Sequence, residues 1–252
     1  MKAVEIAQRR KEITELLYQQ NELKVSDLVK TFQVSDETIR KDLTYLAKEG
    51  VLKKQHGKAT LVKEKELAPV FQRTTQFPEK DRITQAALAL ITNEDYSIGL
   101  DQGSTLALLA KKILPLKEKQ IFTGSLAAIT QLANGHHKLF CFGGEYSPAD
   151  MAFRNSGNEI LPDIHFDLCF FGSSGVKNRK GFCTSSLIDA EAKRRMLKKS
   201  TKKIVLLDQT KFEKTSLVQV APWSEIDVVI TSKGLPLDYE RMISAYAKLI
   251  LV

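Results

Sequence analysis

The sequence predicts an α/β protein in two unequal parts, an N-terminal winged helix-turn-helix and a larger, mainly parallel C-terminal α/β domain. Three observations carry this reading. Residues 1–63 show three helical periods followed by a short basic hairpin pattern. From residue 79 onward, β-rich runs without clean in–out alternation are separated by amphipathic helical runs, the pattern of a parallel sheet covered on both faces (79–252). Residues 64–78 mix charges and two prolines with few periodic apolar positions, and read as a linker.

At 252 residues, 43% hydrophobic and 27% charged, the composition is that of a globular protein with a real core. No run approaches the ~20 apolar residues that span a bilayer, and the start MKAVEIAQRRKEI lacks the apolar stretch of a signal peptide. A cytoplasmic location and no membrane partner are expected. Cys141 and Cys169 lie in the apolar runs LFCFGG and DLCFF, Cys183 stands alone, and none of these or of the four histidines has metal-ligand spacing. Neither a metal nor a cofactor is expected. The net charge of +8 points to a polyanionic partner, and residues 1–63 hold half of it.

Ile6, Ile13, Leu16 and Leu17 share a face of a first helix from about Val4 to Tyr18. Ser26 suits the N-cap of a short second helix ending at Gln33. Ser35 suits the N-cap of a third, with Asp36 and Glu37 in its first turn and Gly50 as its stop. On that third helix Ile39, Leu43 and Leu46 form one stripe, opposed by Glu37, Thr38, Lys41, Thr44 and Tyr45, with Arg40 on the flank. Such a face suits the major groove, although a solvated surface helix shows the same mixture. The segment after the helix separates the two readings. Lys53, Lys54, His56 and Lys58 lie in a hairpin pattern turning at Gly57, a wing whose cations can meet phosphates beside the groove.

The run VSDLVKTFQVSDETIRKDLTYLAKEGVLKKQHGKATLV resembles the N-terminal signature of the DeoR family of bacterial regulators, with its core VS-x-x-TIR-x-DL-x-x-L-x-x-x-G-x-L-x-x-x-HG. Two departures are visible. Gln33 stands where the family often has glycine, and Lys58 where a second glycine follows His-Gly. The resemblance implies double-stranded operator DNA as a partner, with Ser35 added to the contact residues above.

In the second part the strand ends collect glycine and hydroxyl residues: Asp101 to Thr105, Thr123 to Ser125, Gly143 and Gly144, Gly172 to Gly175, and Asp208 to Lys211. Ligands in parallel sheets bind at that edge. Glycine admits backbone N–H groups to an oxyanion, and a helix N-terminus attracts it, so DQGST is a candidate phosphate cradle with Lys211 as cation. Ser104 equally reads as a helix cap, Gly103 as a turn and Lys211 as a solvated lysine. Asp101, Glu191, Lys193 and Asp208 are candidates for sugar hydroxyls, Glu191 and Lys193 equally for a basic helix surface.

DQGSTLALLA, IFTGSLAA, CFGG, FDLCFFGSSGV, GFCTSSLIDAEAKRRML and IVLLDQTKF resemble successive blocks of the DeoR-family effector domain, similar in fold to ribose-5-phosphate isomerase. The family commonly has Gly at position 102 and Ser-Ser-Lys in place of Gln209-Thr210-Lys211. The resemblance implies a phosphorylated-sugar effector held by Asp101, Gly103, Ser104, Thr105, Thr123, Ser125, Gly172, Ser173, Gly175, Glu191, Asp208 and Lys211. It implies a homo-oligomeric repressor, dimer or tetramer, of a carbohydrate-utilisation operon, with no enzymatic activity. The rivals are a sugar-phosphate isomerase or deaminase on the same fold, and a constitutive DNA-binding protein whose second domain oligomerises.

Overall fold

A computed structural model describes residues 3–20, 22–48, 52–55, 57–61, 77–154 and 164–252. The chain divides into two compact units, Met1–Leu67 and Ala68–Val252. Gly50, His56 and most of the expected linker, 64–76, lie outside the described residues. Among those described, no helix is long and apolar enough to cross a membrane.

The first unit runs α1 (Ala3–Gln20), β1 (Glu22–Lys24), α2 (Val25–Phe32), α3 (Asp36–Lys48), β2 (Leu52–Gln55) and β3 (Lys58–Leu61). Ile39, Leu43 and Leu46 of α3 are buried against Ile13 and Leu17 of α1 and Leu28 of α2, so the stripe read from the sequence is the core. Ser35 caps α3, its Oγ accepting the Thr38 N–H at 3.2 Å. The strands pair antiparallel in the order β1-β3-β2, and Gly57 makes the turn at φ 72°. A three-residue strand shows no period, so the sequence carries no sign of β1.

This strand also overturns the expected cap of α2. It runs directly into the helix, whose first residue is Val25, and the Val25 N–H donates to the Gly57 carbonyl at 3.0 Å. Lys24 is thus the N-cap and makes no side-chain cap, a neighbouring backbone carbonyl takes one first-turn N–H, and Ser26 sits exposed in the first turn. Gln33 ends α2 in the left-handed region at φ 50°, where a glycine would be unstrained.

One polar feature holds α1 to α3. Asp42 is 2% exposed and takes Arg9 Nε at 2.6 Å and Arg10 Nε at 2.8 Å.

The second unit is a seven-stranded parallel sheet in the order β14-β13-β11-β9-β4-β5-β6. Its strands are β4 (Ser97–Leu100), β5 (Gln120–Thr123), β6 (Lys138–Cys141), β9 (Phe166–Gly172), β11 (Ser200–Leu207), β13 (Val228–Thr231) and β14 (Lys248–Leu251). Helices α4 (Phe77–Leu88), α5 (Ser104–Ile113), α6 (Leu126–Leu132), α7 (Leu187–Lys198) and α8 (Leu237–Ser244) accompany them. Central strands bury both faces. Phe171, Val205 and Leu207 join one core cluster, while Leu168, Phe170, Ile204 and Leu206 join the other. This is why those runs lack alternation in the sequence. Two antiparallel pairs are not legible there, β7 (Glu145–Ser147) with β8 (Ala152–Arg154), and β10 (Gly181–Thr184) with β12 (Val218–Pro222). The first pair is only three residues long, and the second joins segments some 35 residues apart.

The strand order locates the site. From β4 the chain winds outward through β5 and β6, then returns to β9 on the other side of β4 and winds away through β11, β13 and β14. The connections diverge between β4 and β9, which opens a crevice at their carboxyl ends.

Asp42→Ala should destabilise the first unit by about 3 kcal/mol, since it removes the buried carboxylate that ties two guanidinium groups of α1 to α3. Urea unfolding of the full chain, followed by a probe in residues 1–48, measures this; a midpoint equal to wild type refutes the role given to Asp42.

Candidate functional site

Two surfaces gather the chemistry, one on each unit. On α3, Glu37, Arg40, Lys41, Thr44 and Tyr45 are exposed and Thr38 is half-buried. The acids of the first turn hold the cations one turn on: Arg40 pairs with Asp36, and Lys41 Nζ lies 2.8 Å from Glu37. Hydrogen bonding to Lys41 and its charge hold the Glu37 carboxyl below the usual carboxylate range. Exposed pairs of this kind are worth at most about 1 kcal/mol, so a phosphate or base edge can displace either partner. The wing is tied to the helix, with Lys54 Nζ donating to Thr44 Oγ1 at 2.7 Å and Thr44 Oγ1 to the Arg40 carbonyl at 2.6 Å. Lys58 lies 2.8 Å from Glu22 of β1, and the Arg10 guanidinium stands 3.9 Å from the Tyr45 ring centroid. Lys53 is exposed on β2.

On the second unit a cavity of about 580 Å³ opens at the crevice between β4 and β9. Gly103 takes φ 121° and precedes α5 without any side-chain cap. The first-turn N–H groups of Ser104, Thr105 and Leu106 therefore stand at the wall of the cavity, which these residues line. Gly172 and Ser173 from β9, and Asp208 and Lys211 from the end of β11, complete the rim. Lys80 and Lys214 bring further positive charge.

Beneath the rim Asp101 is buried. Its Oδ2 accepts the Gly172 N–H at 2.9 Å and pairs with the Lys193 ammonium, which also donates to the Gly172 carbonyl at 3.3 Å. Asp208, 2% exposed, caps the short 3-10 turn Gln209–Lys211 by accepting the Thr210 N–H at 3.2 Å, and Lys211 Nζ lies 4.0 Å from it. Asp189 faces the cavity from the first turn of α7 and takes Arg154 Nε at 3.2 Å. Burial raises the Asp189 carboxyl above its ordinary range, opposed by the charges of Arg154 and Lys193.

Similarity to known proteins agrees with this division. The family model described as the DeoR-like helix-turn-helix domain matches residues 9–65, and that of the DeoR C terminal sensor domain matches residues 75–233. The chain belongs to the DeoR family. Curated relatives of this DeoR-family regulator include the L-fucose operon activator of Haemophilus influenzae, 34% identical over 89% of this chain and 91% of that one. The lactose phosphotransferase system repressor of Streptococcus mutans is 31% identical, again over 89% and 91%. Among solved structures, ribose 5 phosphate isomerase A from Neisseria gonorrhoeae aligns with TM-score 0.40 and 16% identity, over 55% of this chain and 54% of that one. The chain spans about half the length of this structure and of two further ribose 5-phosphate isomerase structures.

In this DeoR-family chain, five residues singled out from sequence are absent from the lining of this cavity: Asp101, which lies beneath its rim, and four that lie further off. Glu191 is on the outer face of α7, 62% exposed and 3.6 Å from Arg195, because two residues from Asp189 along a helix is the opposite side. Thr123 and Ser125 shape the turn between β5 and α6. Thr123 Oγ1 accepts the Ser125 N–H at 3.0 Å, and Ser125 Oγ accepts the Ala128 N–H at 3.2 Å. Gly175 is a packing residue, since a Cβ there would approach the Lys214 carbonyl oxygen to 2.3 Å.

Other cavity residues were not among those singled out as ligands of the effector. Lys80 and Asp189 lie on the inner faces of α4 and α7, Asp189 beside Lys193, which the sequence did offer for sugar hydroxyls, and a helical wheel centred on Ile83 or on Ala190 and Met196 would have marked them. Arg154, which holds the cavity residue Asp189, comes from the β7–β8 hairpin, for which the sequence carries no period.

Lys193→Ala should leave the Asp101 carboxylate buried without its ammonium and destabilise the second unit by about 3–5 kcal/mol. Glu191→Ala should change stability by no more than about 0.5 kcal/mol. Thermal unfolding of both variants tests the contrast, and equal losses would contradict the geometry described.

Proposed function

We propose that this transcriptional regulator is a repressor of a carbohydrate-utilisation operon whose affinity for operator DNA is controlled by a phosphorylated sugar. In this reading residues 1–63 bind DNA, 64–78 link and 79–252 sense. The third helix enters the major groove with Ser35, Glu37, Thr38, Arg40, Lys41, Thr44 and Tyr45, and the wing lays Lys53, Lys54, His56 and Lys58 on flanking phosphates. The protein acts in the cytoplasm as a homo-oligomer, dimer or tetramer, matched to repeated half-sites.

The observation that carries the sensing half is the uncapped N-terminus of α5 at the wall of a cavity of about 580 Å³, with Lys211 and Lys80 on the same rim. Backbone N–H groups, a helix dipole and ammonium groups converge there as a phosphate requires. The names of the relatives, a lactose phosphotransferase system repressor and an L-fucose operon activator, support a sugar-linked operon.

The carboxylates speak against catalysis. A general base must be free to take a proton from the substrate. Asp101 is held by Lys193 and the Gly172 N–H, Asp208 caps a turn, Asp189 holds Arg154, and Glu191 lies outside.

Replacing Arg40 and Lys41 by alanine should lower operator affinity at least tenfold. Replacing Lys53 and Lys54 should weaken binding to all sequences alike and reduce the salt slope by about 1 for each phosphate no longer neutralised. Gel shift at several salt concentrations measures both, and wild-type affinity in all four positions would remove the assignment.

Lys211→Ala or Ser104→Ala should lower effector affinity about tenfold, by the loss of a charge-assisted hydrogen bond worth about 1.5–3 kcal/mol. Operator affinity without effector should stay near wild type. Thermal shift against a panel of sugar phosphates identifies the ligand, since one present at a hundred times its Kd stabilises by about 2.7 kcal/mol. A variant that responds at the wild-type effector concentration places the phosphate elsewhere.

A further inference from the structure

A smaller recess of about 70 Å³ adjoins the cavity, and Gln102, Asp189 and Lys193 line both. Its walls are Leu100, Phe142, Phe153, Ile188, Ala192 and Met196. Charged groups reach it as well, but they are engaged with one another. Arg154 spans Asp150 at 2.5 Å and Asp189 at 3.2 Å. Lys193 holds Asp101 and the Gly172 carbonyl, and Arg195 lies 3.6 Å from Glu191. The Ser125 hydroxyl accepts from the Ala128 N–H. At the shared wall, by contrast, the half-buried Gln102 amide has no side-chain partner among the described residues. The two compartments therefore differ in kind. The larger offers N–H groups, hydroxyls and ammonium groups; the smaller is walled mainly by carbon and sulfur, with its charged groups paired with one another, and an amide stands between them.

We propose that the effector, taken as the phosphorylated sugar argued above, is a monophosphate of a deoxy sugar whose unhydroxylated terminal carbon fills this recess. Its phosphate sits at the N-terminus of α5, and Gln102 hydrogen-bonds an oxygen midway along the molecule. A terminal hydroxyl in the recess would lose its water and meet mostly carbon, with the charged neighbours already paired. A second phosphate would meet Arg154 and Lys193 already paired with carboxylates, and would bring two negative charges beside Asp101 and Asp189. Apolar pockets discriminate against an added hydroxyl by about a hundredfold at best, which sets the scale of the effect.

The test uses the full chain, with thermal shift and operator titration against matched series. These are 6-deoxyhexose and 6-deoxyhexulose 1-phosphates, their counterparts that differ only by the 6-hydroxyl, and the corresponding 1,6-bisphosphates. The tightest deoxy compound should bind at least tenfold better than its hydroxylated match, and the bisphosphate more weakly than either. Ile188 is 37% exposed, so Ile188→Asn should fold; it should bring the deoxy preference within about threefold. A hydroxylated compound or bisphosphate that binds as well as its deoxy match overturns the proposal, as does a preference unchanged by Ile188→Asn. A chain that responds to none of the sugar phosphates overturns the sugar-phosphate reading itself, and this inference falls with it.

Discussion

The pair formed by Asp101 and Lys193 sits where the parallel sheet changes direction, and the sensor half of the molecule is organised around it. Two charges withdrawn from water are tolerated only when each is paired and its remaining hydrogen-bonding capacity is used. Here one carboxylate accepts both the ammonium and the Gly172 N–H, while the ammonium also reaches the Gly172 carbonyl. That single arrangement binds the end of β4, the end of β9 and the inner face of α7. Two residues beyond Asp101 the backbone turns at Gly103 and opens α5, so the position of the uncapped helix N-terminus depends on where Asp101 is held. The cavity thus owes its shape to an ion pair at its floor, with Lys193 in the lining and Asp101 beneath it.

The DNA-reading unit uses the same device. Asp42 lies on the inner side of α3 and is gripped by two arginines from α1, one of which also covers the ring of Tyr45. On the outer side Asp36, Glu37, Arg40 and Lys41 pair along the helix in full contact with water. Similar chemistry therefore serves two ends. Buried ion pairs lock the helix to its neighbour, and exposed ones leave cations that another anion can recruit at little cost.

How the residues divide between scaffold and site depends on side-chain direction, and α7 illustrates this. Asp189 and Lys193 are four apart and face the cavity together; Glu191, between them, faces solvent with Arg195. Read along the chain, all three are polar residues of one basic helix. Once the helix is packed, Asp189 and Lys193 line the cavity and Glu191 does not. The turn after β5 makes a similar point. Thr123 and Ser125 are the hydroxyl residues expected near a phosphate, yet each spends its oxygen on a nearby backbone N–H. Satisfying those N–H groups holds α6 in place, a role that residue type alone does not separate from ligand binding.

The sequence by itself determined the classes of element and their order. The apolar stripe of α3, the Ser35 cap, the basic wing and the unalternating runs that became the seven parallel strands are local patterns, set by the periods of helix and strand and by burial on one or both faces. It also marked the rim, because glycine and hydroxyl residues at strand ends are local features. Tertiary structure alone decided the rest. The β7–β8 and β10–β12 pairs, the cap of α2 by a carbonyl more than thirty residues away, the Asp42 and Asp101 ion pairs, and the lining of the recess all depend on how separate segments meet. No period records such meetings, since they arise only when the packed core brings separate elements together and their buried polar groups must find partners.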